Sequence, residues 1–430
     1  MKIIKPKRKR VIVITDISSL QGGFMEPDDT QSLVRFLLYS NEFDVEGLIA
    51  CAYGDYGIKA EYIEAVVKTY GKVHENLLIH DSSYPSEDYL LSVIKSGSAK
   101  VGMEEMGNGK DTEASEWIIS VVDKQDERPV WILLWGGALD LAQAVWKVCN
   151  TREDTEARQF KDKLRVYSIS DQYDNTGLWI KEYNPDIFYI TAHKTFRGMY
   201  REGKRELVNE TWVKEKIHGN HGKLGDSYPM YDGADPWGEV KGIKEGDTPS
   251  FLYLIPTGLG NPEEPSYGCW GGRFVGNGRQ YRDTADLVEG RESIEATVFR
   301  WREAYQADFA ARMDWCVKDF EQANHAPVVV VKGETEITIM AGEKLIIDAS
   351  DSYDPDGDEL SFNWEWYREP GSFRGTLQIL NHMEREATVM IPNVDRMCTI
   401  HVILSVSDKT AYPVTRYQRI IITVLPISNQ

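Results

Sequence analysis

Cysteine is scarce: five in 430 residues, at Cys51, Cys149, Cys269, Cys316 and Cys398, widely spaced and with no CxxC pair. That excludes a disulfide scaffold and a cysteine zinc site, and predicts reduced, buried thiols in a cytoplasmic protein. No run of about 18 apolar residues occurs, so no membrane-spanning helix is expected. Positive charge is in deficit. With 49 Lys and Arg against 68 Asp and Glu, the formal net charge is −19, which argues against nucleic acid and anionic membrane as main partners. The only basic cluster, "KIIKPKRKR", reads as a solvated leader over residues 1–10. No apolar h-region follows it, so no secretory signal is expected in the chain as given, with a secreted, trimmed mature form as the alternative. Also missing are a GxSxG elbow, a P-loop and a Rossmann glycine fingerprint, and "HGNH" lacks a partner at zinc-ligand spacing.

What is present is globular. Hydrophobic residues make up 42% and aromatics 11%, and the length calls for two domains. From residue 11 to 323 strand and helix patterns alternate: "RVIVIT", "DDTQSLVRFLLYS", "VEGLIACAY", "IKAEYIEAVVKTYGKV", "VWILLWGG", "ALDLAQAVWKV", "LRVYSIS", "DIFYITA". This order predicts an α/β domain, a parallel sheet with helices on both faces, whose ligands sit beyond the carboxyl ends of the strands. Residues 219–290, dense in Gly, Pro and aromatics, read as a long loop region. Residues 327–430 alternate polar and apolar in short runs with turn signals between them, which predicts a small all-β sandwich. Bracing the larger domain or making a dimer contact are roles left open for it. The acidic turn "DPDGD" fails the EF-hand pattern and reads as structural.

The acids around the first strand carry the chemistry. "VIVIT" ends on Asp16, and Asp28 and Asp29 follow Pro27 at the start of a helix. Capping alone accounts for two acids in a first helical turn. A third acid at the strand end must meet them at the carboxyl edge, where three carboxylates repel unless a cation or proton intervenes. Hard cations such as Ca²⁺ take oxygen ligands of this kind.

"TDIS…GG…EPDDTQSLVR" resembles the opening of the ribonucleoside hydrolase fold, in the version found in the nucleoside-hydrolase-like family often labelled cellulose-binding. "LLWGGALDLAQAV", "EGDTPSFLYL", "PSYGCWGGRF" and the terminal "DASDSYDPDGD" and "HVILSVSD" extend the resemblance over nearly the whole chain, including an Ig/cadherin-like terminal domain. The resemblance implies a calcium-dependent hydrolase of N- or O-glycosidic bonds. Asp16 would ligate calcium and activate water, and Asp29, Asp247 and the backbone carbonyl of Leu139 would complete the metal ligands. Asp28 would hold sugar hydroxyls. "KEYNPD" resembles the family's Glu-Phe-Asn sugar clamp, which would put Glu182 and Asn184 on the sugar, with Asn175 as a further candidate. The rival implication is a carbohydrate-binding protein that kept the fold and lost turnover.

Three departures mark this chain. Ile14 stands where nucleoside hydrolases have a second Asp, eleven residues rather than three separate Asp16 from the Asp pair, and Gly246 replaces a His before the late aspartate. The expectation is a kept metal site with a rebuilt leaving-group side, suited to a sugar or oligosaccharide rather than a purine nucleoside. Trp270 and Arg273 in "WGGR" are candidates for stacking on a sugar ring and binding its hydroxyls, with a packed loop as the alternative. Trp135 reads equally as a stacking wall or a core residue. Asp171 and Asp174 read as turn residues, with a general acid at one of them as the alternative.

Overall fold

The computed structural model describes residues 7–20, 27–52, 54, 57–172, 175–231, 233 and 238–427. An eight-stranded sheet is built from β1 (Lys9–Thr15), β2 (Phe43–Ala50), β3 (Ile94–Ser96), β4 (Val130–Leu134), β5 (Leu164–Ile169), β6 (Phe188–Ala192), β7 (Phe274–Gly276) and β8 (Gln280–Asp283). Its order is β3-β2-β1-β4-β5-β6-β8-β7. Every pair is parallel except β7 with β8. The chain winds outward from β1 to β3, then returns and winds the other way from β4. The point of reversal lies between β1 and β4, where open α/β sheets bind their ligands.

β1 shows why the sheet is covered on both sides. Val11 and Val13 join one apolar core and Ile12 and Ile14 the other, as alternation along a strand requires. The first core takes Leu33, Val34 and Leu37 from the Pro27–Leu38 helix; the second takes Ile118, Leu141 and Val145 from the Glu113–Val122 and Leu139–Thr151 helices. Both faces of each central strand are therefore apolar, which is why they read as unbroken hydrophobic runs.

Three expectations need correction. Arg10 belongs to β1, not to a solvated leader: it is fully buried and pairs with Glu46 at 2.8 Å. The loop region supplies the two outer strands β7 and β8 and β9 (Asp286–Val288), which pairs in a hairpin with β10 (Arg291–Ser293) just beyond it, because short polar strands toward the rim of a sheet lack the apolar run that marks central ones. Cys149 is exposed, on the outer side of the Leu139–Thr151 helix, while the other four cysteines are buried. Among the described residues no helix is long and apolar enough to cross a membrane.

The C-terminal strands are β11 (Glu336–Met340), β12 (Lys344–Asp348), β13 (Leu360–Tyr367), β14 (Gln378–Leu380), β15 (Glu386–Met390), β16 (Cys398–Asp408) and β17 (Thr415–Leu425). They form sheets β11-β17-β16-β13 and β12-β15-β14 around a core that includes Ile347, Trp364, Val389, Val402 and Ile422. This domain is docked tightly. Arg416 pairs with Asp308 of the Arg302–Asp314 helix at 2.6 Å. The Arg419 guanidinium donates to the carbonyls of Leu259, Tyr267 and Gly268, and to His401 Nδ1 at 3.0 Å. Fully buried Asp286 takes Arg273, Arg300 and the Tyr367 hydroxyl at 2.6–2.8 Å.

Candidate functional site

Asp16 emerges directly from the end of β1 and is buried. Asp28 and Asp29 sit in the first turn of the Pro27–Leu38 helix, both buried. Thr15 links the two elements. The Ile17 amide donates to Thr15 Oγ1 at 3.1 Å, which leaves the hydroxyl proton to point at Asp29 Oδ1. The turn after β4 closes the other side. A Cβ added at Gly136 would lie 2.8 Å from Asp16 Cγ and Oδ1 and from the Cys51 sulfur, so only glycine lets this turn pass the acids. Cys51 reports the local field: burial pushes its thiol up, and the Asp16, Asp140 and Asp29 carboxylates push it further.

The late acid is brought in by contacts that span most of the domain. Gln31 uses its whole amide. Its oxygen accepts from the Lys244 and Glu245 amides at 2.8 and 3.1 Å, and its nitrogen donates to the Pro229 and Gly242 carbonyls, both at 2.8 Å. One turn on, Arg35 pairs with Glu245 at 2.7 Å, and the Tyr228 hydroxyl donates to the same carboxylate at 2.5 Å. Burial pushes the Glu245 carboxyl up against the pull of these partners. Asp247 then stands at the N-cap of the Thr248–Leu252 helix, its carbonyl accepting from the Ser250 hydroxyl at 2.6 Å. Trp135 Nε1 donates to that hydroxyl at 2.8 Å. Asp16, Asp28, Asp29 and Asp247 are thus all buried, on elements tied to the sheet's point of reversal.

Asp28 faces differently from its neighbour. Lys244 Nζ lies 3.5 Å from its Oδ2, and a Cβ on Gly246 would come within 3.3 Å of that oxygen and 3.4 Å of the Phe196 ring. Its Oδ1 is buried and, among the described residues, has no hydrogen-bond partner. A buried carboxylate oxygen without a donor is costly, and a ligand hydroxyl would relieve it.

Other candidates fall elsewhere. Glu182 and Asn184 end the Thr176–Tyr183 helix, which leaves the carboxyl edge after β5 and runs back to the start of β6. They lie at the amino edge: Glu182 is exposed, and Asn184 is buried with Oδ1 3.7 Å from the Cys149 sulfur. The expected sugar clamp is therefore corrected. Trp270 is fully buried, edge-on to Tyr305 and Tyr417, and cannot present a face to a sugar. Arg273 is spent on Asp286 and the Ala285 carbonyl in the contact between domains. Trp135 is a core residue, packed on Phe36 and Phe251. Asp171 is a turn residue whose carboxylate takes Ser168, Tyr189, Thr191 and Lys181. Asp174 lies outside the described residues.

Asn175 does remain at the carboxyl edge, exposed and in the left-handed region with φ 61°. Leu139 is buried and opens the helix after the Gly136 turn. Sequence reading missed Thr15, Cys51, Lys244 and Gln172, whose amide donates to the Trp135 carbonyl at 2.5 Å. A hydroxyl residue just before a strand-end acid was a signal for Thr15; the others carry none.

The donor set suits a hard cation: carboxylates at Asp16, Asp29 and Asp247, with one orphaned buried oxygen alongside on Asp28. Among the described residues, the one trio with ligand oxygens all within 4.8 Å of one another is elsewhere, at Asp354, Asp356 and Asp358 in the turn before β13. The carboxylate oxygens of Asp16, Asp29 and Asp247 are thus not all within that distance of one another, so a cation drawing on all three requires these side chains to close on it, with backbone oxygen and water completing its shell.

The model of the cellulose-binding Sde182 nucleoside hydrolase-like domain matches residues 10–274, and that of the cellulose-binding protein Sde0182 C-terminal domain matches residues 344–424. A solved nucleoside hydrolase-related hypothetical protein from Saccharophagus degradans, associated with carbohydrate metabolism, is 35% identical. It aligns at a TM-score of 0.81 over 97% of this chain and 100% of its own. The PKD domain from KIAA 1837 protein covers 24% of this chain and 91% of its own at 19% identity, with a TM-score of 0.18 that carries no weight. No curated protein matches the chain.

Proposed function

Since the chain belongs to the family of the cellulose-binding Sde182 nucleoside hydrolase-like domain, we propose that it is a calcium-dependent hydrolase of glycosyl bonds in a carbohydrate. The observation that carries this reading is the set of four buried acids, Asp16, Asp28, Asp29 and Asp247, at the reversal of the sheet. Helix-start acids account for Asp28, Asp29 and Asp247 one at a time, but they do not explain why Asp16 joins them, buried, at the same edge of the sheet.

Asp16, Asp29 and Asp247, with the Leu139 carbonyl, would hold Ca²⁺, which when bound neutralises the acids and makes water a better nucleophile at neutral pH. Asp16 takes the proton of the attacking water as the water oxygen bonds to the anomeric carbon; the bond to the leaving group breaks with its electron pair on the departing atom, which takes its proton from solvent water. Asp28 accepts sugar hydroxyls on the oxygen that lacks a partner, with Lys244 beside it. Gly136 keeps the backbone close enough to exclude bulk water behind Asp16. A single displacement predicts inversion at the anomeric carbon.

A second reading, a carbohydrate-binding protein without turnover, draws on the leaving-group side. Asp171 is consumed by four donors, and Gly246 offers no proton. Calorimetric Ca²⁺ titration of exhaustively chelated wild type and Asp29→Asn tests the first reading. Binding lost in the variant, followed by NMR detection of the inverted anomer from an oligosaccharide, supports hydrolysis. Absence of Ca²⁺ binding in the wild type, with polysaccharide affinity that persists in chelator and in Asp16→Asn, supports the binding protein instead.

A further inference from the structure

Over the outer strands of the large sheet lies a cleft of about 820 Å³ that the acid cluster does not use. Its floor is one row across three strands. Thr191 of β6 pairs with Arg282 of β8, which pairs with Val275 of β7, so all three side chains rise on the same face. Lys181 of the Thr176–Tyr183 helix forms a wall, and His193 and Lys194 stand at the mouth, just past the end of β6.

Two acids line the cleft, and both are already engaged. Asp171 is held by Lys181 and three hydroxyls. Asp283 accepts the His193 and Lys194 amides at 3.1 and 2.6 Å and the Thr195 hydroxyl at 2.8 Å. The side chains of Lys194 and Arg282 are different. Both are exposed, and among the described residues neither has a carboxylate partner. In a chain of net charge −19 that concentration of uncommitted cation in one cleft calls for an anion. Arg282 offers the planar fork that fits a carboxylate or phosphate, and Val275 gives an apolar footing for the carbon skeleton attached to it.

The cleft runs from the amino end of β8, at Asn277 and Gln280, to the carboxyl edge, where His193 and Lys194 line it and β8 ends just past Arg282. β8 stands four strand spacings from β1, roughly 19 Å at the usual spacing between neighbours. One extended saccharide can span that distance, whereas a single nucleoside cannot. We infer that this cleft is a distal subsite for an anionic sugar unit, so that the ligand is an acidic oligosaccharide lying along the carboxyl edge from Asp16 to Arg282. The inference rests on the reading of the acid cluster as a saccharide site, but it does not need turnover.

The test is calorimetric binding of a uronic acid tetrasaccharide, a neutral glucose tetrasaccharide and a hexose phosphate to the full chain. It is run on wild type, Lys194→Ala/Arg282→Ala and Asp16→Asn, with thermal unfolding as the check that each is folded. The expected result is a preference of about tenfold or more for an anionic ligand, lost in the double variant while neutral affinity stays unchanged. The uronate and phosphate arms decide which anion is taken. A preference that survives in Asp16→Asn supports the subsite even if hydrolysis is never detected. Equal affinity for charged and neutral ligands, a preference unaffected by the double variant, or no saccharide binding at all would overturn it.

Discussion

Arg35 and Glu245 form an ion pair at 2.7 Å in which both side chains are completely shielded from solvent. The pair holds the segment that carries Asp247 against the helix that carries Asp28 and Asp29. Removing one member strands the other as a buried charge. Glu245→Gln is therefore expected to cost about 3–5 kcal/mol in urea unfolding and to weaken Ca²⁺ binding with it. Replacing both by methionine should restore much of the stability without restoring the affinity, because the register of the segment is no longer enforced. Equal Ca²⁺ affinity in Glu245→Gln and wild type would show that Asp247 is placed by other contacts.

Thr15 aims the carboxylate of Asp29. Groups that orient a metal ligand typically contribute 10–100-fold in affinity when lost. Thr15→Val, close in shape, should weaken Ca²⁺ by about that factor while costing only about 1 kcal/mol of stability. Calorimetry paired with a denaturation curve reads both numbers, and unchanged Ca²⁺ affinity would show that Asp29 does not depend on Thr15 for its orientation.

Glu182 is exposed at the far edge of the sheet. Glu182→Ala should leave saccharide affinity and any hydrolytic rate within about twofold of wild type, the range of ordinary surface changes. A large loss of affinity would mean that Glu182 reaches the bound saccharide.

His401 sits in the contact between domains with its ring pKa held down to about 3, by burial first and the Arg419 charge second. Unfolded, it titrates near its ordinary value of about 6.5. A depressed value means the unfolded chain binds the proton more readily. The stabilisation is complete above about pH 6.5 and is lost as pH falls toward 3, at up to about 1.4 kcal/mol per pH unit. Urea midpoints measured from about pH 7 to about pH 4 should fall more steeply for wild type than for His401→Gln. Parallel curves would mean that His401 is not held neutral.

Much of the fold was legible because central strands carry it in their composition: β1, β4, β5 and β6 are apolar on both faces. The acid cluster was legible for a related reason. A strand end and a helix start that share an edge are fixed by the sheet's direction alone. Glu182 and Asn184 were misplaced because a short motif says nothing about which end of a helix it occupies. Trp270 and Arg273 looked like ligand residues in a glycine-rich loop, but the side chains that bury them, Tyr417 and Tyr367, belong to the second domain. β7, at the edge, and β8 beside it escaped notice because short strands at the rim of a sheet need not be apolar.

The amide of Gln31 joins residues 214 positions apart. Closing so long a loop is entropically expensive and slow, and nothing in between forms that contact alone. Binding competence is therefore among the last properties the chain acquires as it folds. A nascent chain released before residue 247 would carry Asp16, Asp28 and Asp29 correctly spaced in sequence and still be unable to assemble the site. Ligand binding can thus serve as a probe of completed folding, distinct from the helix signal, which would rise much earlier.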